Sequence, residues 1–245
     1  MIKPKINKRI SRYNHTTYRN REIKYIVIHY VGAVSKAKDN ANYFAGGNRR
    51  ASAHYFTDDT QVWQAVEDKN AAWHCGGGLQ GSGGHKFHDK CTNSNSIGIE
   101  MCCKRKNGKL YITDKTIART AKLVKYLMDK YGVSASRVIR HYDVTGKNCP
   151  APYLNQAKWD KLHETLAGKI NIPKYPTQTL KRGDTGVQVK SLQKFLNKDM
   201  KVNLVVDGAF GDATERVLKD FQKKEGLVFD GICGEKTRSK IKSIV

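Results

Sequence analysis

Two short apolar runs, Tyr25–Tyr30 (YIVIHY) and Ser96–Cys102 (SIGIEMC), each carry one chemically capable side chain among β-branched residues. Runs of this length and composition, bounded by turn residues, mark strands buried in a sheet. A third, Val138–Arg140, leads directly into the stretch RHYDVTGKNCP. Helical patterns separate these runs. In Asp114–Tyr131, Ile117, Ala121, Val124 and Met128 recur at steps of four, three and four, with Thr113 placed to cap the start and Gly132 the end. Shorter helices are expected over Ser35–Phe44 and after Asn155, the latter burying Trp159, Leu162 and Leu166. Ala53–Phe56 and Val62–Val66 read as two strands joined by a turn at Asp58-Asp59. Strands alternating with helices predict an α/β unit whose mixed central sheet is flanked by helices.

Within SIGIEMC, alternation puts Ile97, Ile99 and Met101 on one face and Gly98 with Glu100 on the other. A glutamate in such a strand is costly to bury unless it is paired or used. His29 ends the first run, where α/β sheets place functional groups; taken alone, it reads as a satisfied structural histidine. The third run delivers His141 and, eight positions on, Cys149, with Lys147 between them. Two imidazoles and one thiolate leave the fourth tetrahedral position of a single zinc ion open, as catalysis requires. Glu100 is then placed as general base and Lys147 as the cation facing a developing oxyanion. The competing reading is a sealed structural zinc site with Cys75 or Cys102 as fourth ligand.

The stretch WHCGGGLQGSGGH (Trp73–His85) is too glycine-rich for regular structure and suits a substrate rim or a mobile surface loop equally. Residues 169–178 (KINIPKYPTQ) read as a linker. Beyond them, Asp207-Gly208, Gly211 and Thr214 recur as Asp230-Gly231, Gly234 and Thr237, at an offset of 23. Val189, Leu192 and Leu196 supply one helix, and Val217, Leu218 and Phe221 another, opened by a capping box of Asp212 and Glu215. A second, small all-α domain of three helices follows. The chain thus divides into a basic arm (1–21), a zinc-binding catalytic unit (22–168), the linker, and the helical module (179–245).

Charge limits the partners. The chain has 45 basic and 22 acidic residues, a net +23, of which +18 falls before residue 179. The arm alone carries Lys3, Lys5, Lys8, Arg9, Arg12, Arg19 and Arg21 and no acid. Such a field favours a polyanion, either an anionic wall or a membrane surface. Zinc-finger, helix-turn-helix and aromatic RNA-binding signatures are missing, so no specific nucleic-acid partner is expected. No apolar run is long enough to span a bilayer, and no signal-peptide pattern is visible. Synthesis in the cytoplasm and action elsewhere after release are the expectation. The six cysteines form no CxxC pair and are expected as thiols or ligands there, with a Cys75–Cys91 bridge open in an oxidising space.

The ordered motifs YIVIHYVG, ASAHYFTDD, AWHCG, SIGIEMC and RHYDVTGKNCP, across residues 22–168, resemble the zinc-dependent N-acetylmuramoyl-L-alanine amidases of type 2, the phage-lysozyme and peptidoglycan-recognition-protein-like fold. The DGxxGxxT repeat resembles the three-helix peptidoglycan-binding domain of wall hydrolases, and the pair together resembles a phage or prophage endolysin. The resemblance implies zinc ligands at His29, His141 and Cys149, catalytic roles for Glu100 and Lys147, and a groove lined by Trp73 and His74; His54 reads as a substrate-groove wall or supporting residue, with packing in the core equally open. It further implies cleavage between N-acetylmuramic acid and L-alanine of peptidoglycan by a chain expected to be monomeric. Ala53 stands where some relatives carry a tyrosine, which places more weight on Glu100. A non-catalytic recogniser of peptidoglycan is the nearest alternative, and Cys149 counts against it.

Overall fold

The computed structural model describes residues 3–18, 20–81, 83–168 and 172–245. Arg19 and the first three linker positions lie outside the described residues, and residues 172–178 hold no helix or strand. The chain forms two compact units, 1–169 and 170–245.

The first unit is built on strands β1 (Asn7–Lys8), β2 (His15–Thr16), β3 (Tyr25–Val34), β4 (Tyr55–Thr57), β5 (Val62–Gln64), β6 (Ala71–Ala72), β7 (Ser96–Lys106), β8 (Lys109–Tyr111) and β9 (Val138–Arg140). Its helices are α1 (Ala37–Ala45), α2 (Asp114–Tyr131), α3 (Tyr142–Thr145) and α4 (Gln156–Ala167). The main sheet runs β1-β5-β4-β7-β3-β9, with β8 on β7. Pairs β3–β7, β3–β9, β4–β7 and β1–β5 are parallel; β4–β5 and β7–β8 are antiparallel. The mixed sheet flanked by helices follows the pattern read from the sequence.

Alternation decides which face each side chain takes. Ile26, Ile28, Ile97, Ile99 and Met101 pack with Leu123, Val124 and Leu127 of α2 and Leu162 and Leu166 of α4. Val27 and Ile139 face the other way, against Phe87, Cys91 and Val144. Thr113 caps α2 by accepting the Thr116 N–H, and Gly132 closes it in the left-handed region. The arm is woven into this unit. Its β1 pairs with β5 and β2 with β6, while the Asn14 amide donates to the carbonyls of Phe44 and Gly47.

Asp59, in the β4–β5 turn, ties the sheet to the start of α2. It accepts from Lys104, Thr113 and Thr116, which hold its carboxyl at about 2, below the ordinary value. The folded value lies below the unfolded one, so the anchor is fully present above about pH 4 and is lost as pH falls toward 2. Asp59→Asn is therefore expected to lose less stability than the parent between about pH 6 and about pH 2.5, by urea denaturation. Equal acid sensitivity of the two proteins would show that the carboxylate contributes nothing.

The second unit packs α5 (Val187–Asp199), α6 (Asp212–Lys224) and α7 (Glu235–Ile244) around Val189, Leu192, Leu196, Leu218, Phe221 and Ile241. Its repeat has a physical cause. Buried Gln193 donates Nε2–H to Asp207, Ala209 and Thr214 and accepts the Gly208 N–H; buried Gln222 does the same with Asp230, Ile232, Thr237 and Gly231. The expected capping box at Asp212 does not form: Gly211 occupies the cap position without a side-chain bond, and Asp212 pairs with Arg182 at 2.5 Å. Among the described residues no helix is long and apolar enough to cross a membrane.

Candidate metal and catalytic site

Strand register assembles the site. In the parallel ladders His29 lies opposite Glu100, and Ile28 opposite Arg140, so the next residue, His141, arrives beside His29. The site therefore sits where β9 ends, beside the middle of the longer strands β3 and β7. Cys149 is folded back by the segment between. Tyr142 N–H donates to the Cys149 carbonyl at 2.8 Å, and Arg140 grips Asp143 through Nη2 (2.8 Å) and Nε (3.1 Å). Arg140 also donates to the carbonyls of Tyr153 and Leu154 at 3.0 Å. This buried pair shapes the turn that returns Cys149 to His141.

The glycine-rich stretch is a brace for that turn. Gln80 N–H donates to Thr145 O (2.6 Å), His85 N–H to Tyr142 O (3.0 Å) and Phe87 N–H to Asp143 O (2.8 Å). Gly146, with φ +78°, has no room for a side chain: a Cβ would lie 2.1 Å from the Gln80 carbonyl oxygen.

The ligand atoms of His29, His141 and Cys149 all lie within 4.8 Å of one another, and all three residues are buried. His29 Nδ1 is 3.6 Å from Cys149 Sγ. Neither ring nitrogen of His141 has a hydrogen-bond partner, although the ring is buried. An orphaned buried imidazole beside a second imidazole and a thiol fits a metal ion and fits little else. Burial, reinforced by neighbouring positive groups, holds His29 well below its ordinary value and His141 at about 3, so both are neutral and ready to ligate. Burial and Glu100 push the Cys149 thiol up, against a Tyr30 backbone N–H and Lys147; a cation would reverse that. Cys75 and Cys102 are not part of the cluster, which disposes of the four-ligand alternative among the described residues.

Glu100 Oε1 lies 4.0 Å from His29 Nδ1, and its Oε2 is buried without a partner. Burial raises this carboxyl to about 7, with Lys147 pulling against it. Lys147 is exposed, and its charge reaches His29, His141 and Glu100 alike.

The remaining expected residues are His54, His74 and Trp73. His54 is fully buried, accepting the Gly98 N–H at Nδ1 and donating to Asn70 O from Nε2, both at 3.0 Å; it is a strut between β7 and the loop that joins β5 to β6. His74 is 8% exposed and sits behind His29, at 3.1 Å, rather than on a rim. Half-buried Trp73 donates its indole N–H to Thr16 of the arm at 2.9 Å. Sequence reasoning missed Arg140, Asp143 and Ser96. The opposite charges three apart in RHYD were the available signal for the first two.

Comparison with known proteins agrees with this geometry. The N-acetylmuramoyl-L-alanine amidase family model matches residues 19–152, and a putative peptidoglycan binding domain model matches 185–241. A probable N-acetylmuramoyl-L-alanine amidase of Bacillus licheniformis is 31% identical over 254 residues, covering 95% of this chain and 70% of that protein. The amidase CwlA of Bacillus subtilis (strain 168) is 27% identical, covering 91% and 90%. A mutant endolysin from Bacillus subtilis superposes with a TM-score of 0.53 at 26% identity, over 66% of this chain and 99% of that one. Since His29, His141 and Cys149 all fall inside the first matched segment, fold, site and kinship agree that this chain belongs to the N-acetylmuramoyl-L-alanine amidase family.

Proposed function

We propose that the chain hydrolyses the amide between the lactyl group of N-acetylmuramic acid and the L-alanine of the stem peptide, using zinc held by His29, His141 and Cys149. The supporting observation is the cluster itself: three buried ligand atoms within 4.8 Å of one another, with the buried, unpartnered carboxylate oxygen of Glu100 on the neighbouring strand. Bound zinc supplies a Lewis acid and makes water a usable nucleophile near neutral pH. The chain's own residues do the rest. Glu100 takes the proton of the attacking water at Oε2 and passes it to the departing amine of L-alanine. The Lys147 ammonium stabilises the oxyanion that grows on the attacked carbonyl.

In this reading the helical unit holds the enzyme on peptidoglycan. The exposed cations Lys3, Lys5, Lys8, Arg9 and Arg12 add a salt-sensitive attraction to anionic walls. The enzyme acts as a monomer at the wall, after leaving the cytoplasm.

Purified sacculi test the proposal. The enzyme is expected to lower turbidity and release new amino termini without new reducing ends, to lose this activity to a chelator, and to recover it with zinc. Reducing ends would make it a glycosidase, and the absence of any release would make it a recogniser. Full activity after rigorous metal removal would dismiss the metal.

A further inference from the structure

His74 belongs to no part of the reaction described so far, yet it is buried, fully engaged and in contact with a metal-binding histidine. Its ring takes part in a chain of hydrogen bonds whose polarity is fixed from one end. The Thr92 backbone carbonyl can only accept, so the Ser96 hydroxyl, 2.5 Å away, must donate to it. Ser96 Oγ then accepts from His74 Nε2, at 3.2 Å. A neutral imidazole with its proton on Nε2 has a bare Nδ1. That bare nitrogen lies 3.1 Å from His29 Nε2, which must therefore carry the hydrogen. His29 Nδ1 is left unprotonated, and it is the atom that faces Cys149 Sγ at 3.6 Å.

The ring of His74 is clamped as well as polarised. Asn93 Oδ1 accepts the backbone N–H of both His74 and Cys75, at 3.0 and 2.9 Å. Gly98 provides the floor: a Cβ there would lie 2.5 Å from His74 Cγ, so any side chain at this strand position would push the ring off its partner.

We propose that His74 is a positioning residue for the metal centre, relaying the tautomer set by Thr92 and Ser96 to His29 so that Nδ1 of His29 is permanently available as a ligand. The inference rests on the metal-binding reading given above. Partners of this kind orient a ligating imidazole and raise its basicity, and their loss costs about 10–100-fold in metal affinity.

The test measures zinc affinity of the full chain by competition with a chromophoric chelator, with the cobalt-substituted visible spectrum as a report of ligand geometry. His74→Ala is expected to weaken zinc binding about 10–100-fold. His74→Asn, whose side-chain oxygen replaces the Nδ1 acceptor, is expected to restore most of the loss. Gly98→Ala, which leaves every relay group in place but displaces the ring, is expected to weaken binding and alter the cobalt spectrum. A folded His74→Ala protein that binds zinc as tightly as the parent overturns the proposal, as does a folded His74→Asn protein no better than His74→Ala. If His74→Ala does not fold, Ser96→Ala is read instead: a smaller loss of affinity is expected, and unchanged affinity overturns the relay. A parent chain that binds no zinc at all overturns the metal-binding reading itself.

Discussion

Glu100→Gln is expected to lower kcat on purified peptidoglycan by about 10²–10⁴-fold, the range for losing a positioned general base. Metal content and fold should be unaffected. Glutamine keeps the volume and one acceptor oxygen but cannot take a proton. Burial raises the Glu100 carboxyl to about 7, so the charged form is disfavoured where it stands. The neutral amide escapes that penalty, and thermal stability near pH 8 should be equal or slightly higher. A catalytic loss accompanied by equal or greater stability distinguishes a working carboxylate from a structural ion pair, whose removal would lower both. Counts of new amino termini, metal per chain and Tm together decide it, and a loss of activity under about tenfold would remove Glu100 from the reaction.

The second large effect concerns a pair that never touches substrate. Arg140 is 1% exposed, and Asp143 meets it with both carboxylate oxygens. Burial alone would raise the Asp143 carboxyl, but Lys86 and Arg140 outweigh it and keep the group ionised. Asp143→Ala leaves a buried guanidinium without its counter-charge, which costs about 3–5 kcal/mol. All three tryptophans (Trp63, Trp73 and Trp159) belong to the first unit, so their fluorescence during urea unfolding reads this loss without interference from the helical module. The double variant Arg140→Met, Asp143→Leu should recover only part of it, because Arg140 also satisfies the carbonyls of Tyr153 and Leu154. Metal affinity should fall in both variants, since the pair shapes the turn between His141 and Cys149. A destabilisation below about 1 kcal/mol would mean that water reaches the site and solvates the charge.

Glu100 and the Arg140–Asp143 pair also mark how far the sequence could be read. Glu100 was legible because a charged residue inside an alternating apolar strand contradicts its surroundings, and the contradiction points to use. His29, His141 and Cys149 were legible as residue types suited to zinc, and parallel register was the missing step that brings the first two side by side. His74 was placed on a groove by resemblance, and His54 was left between a groove wall and the core. Their true settings depend on Gly98, Asn70 and Ser96, 16 to 44 positions away, and no local pattern carries that information. The same holds for the glycine-rich stretch: its composition announced irregular backbone, while its role as a brace rests on hydrogen bonds to Tyr142, Asp143 and Thr145. The capping box at Asp212 was a fair local inference, but Arg182 competes for that carboxylate. The basic arm, polar and weakly patterned, left wrapping and fraying both open, because charge says nothing about the two short strand pairings and the Asn14 bonds that hold it.

The two buried glutamines of the helical module have a practical consequence. Each closes its own circuit of donors and acceptors, and every partner comes from within residues 193–237. These two circuits are thus self-contained, as those of a transplantable cassette must be. The module can be joined to an unrelated hydrolase, or doubled in tandem to raise wall residence through avidity, without redesigning a single internal bond.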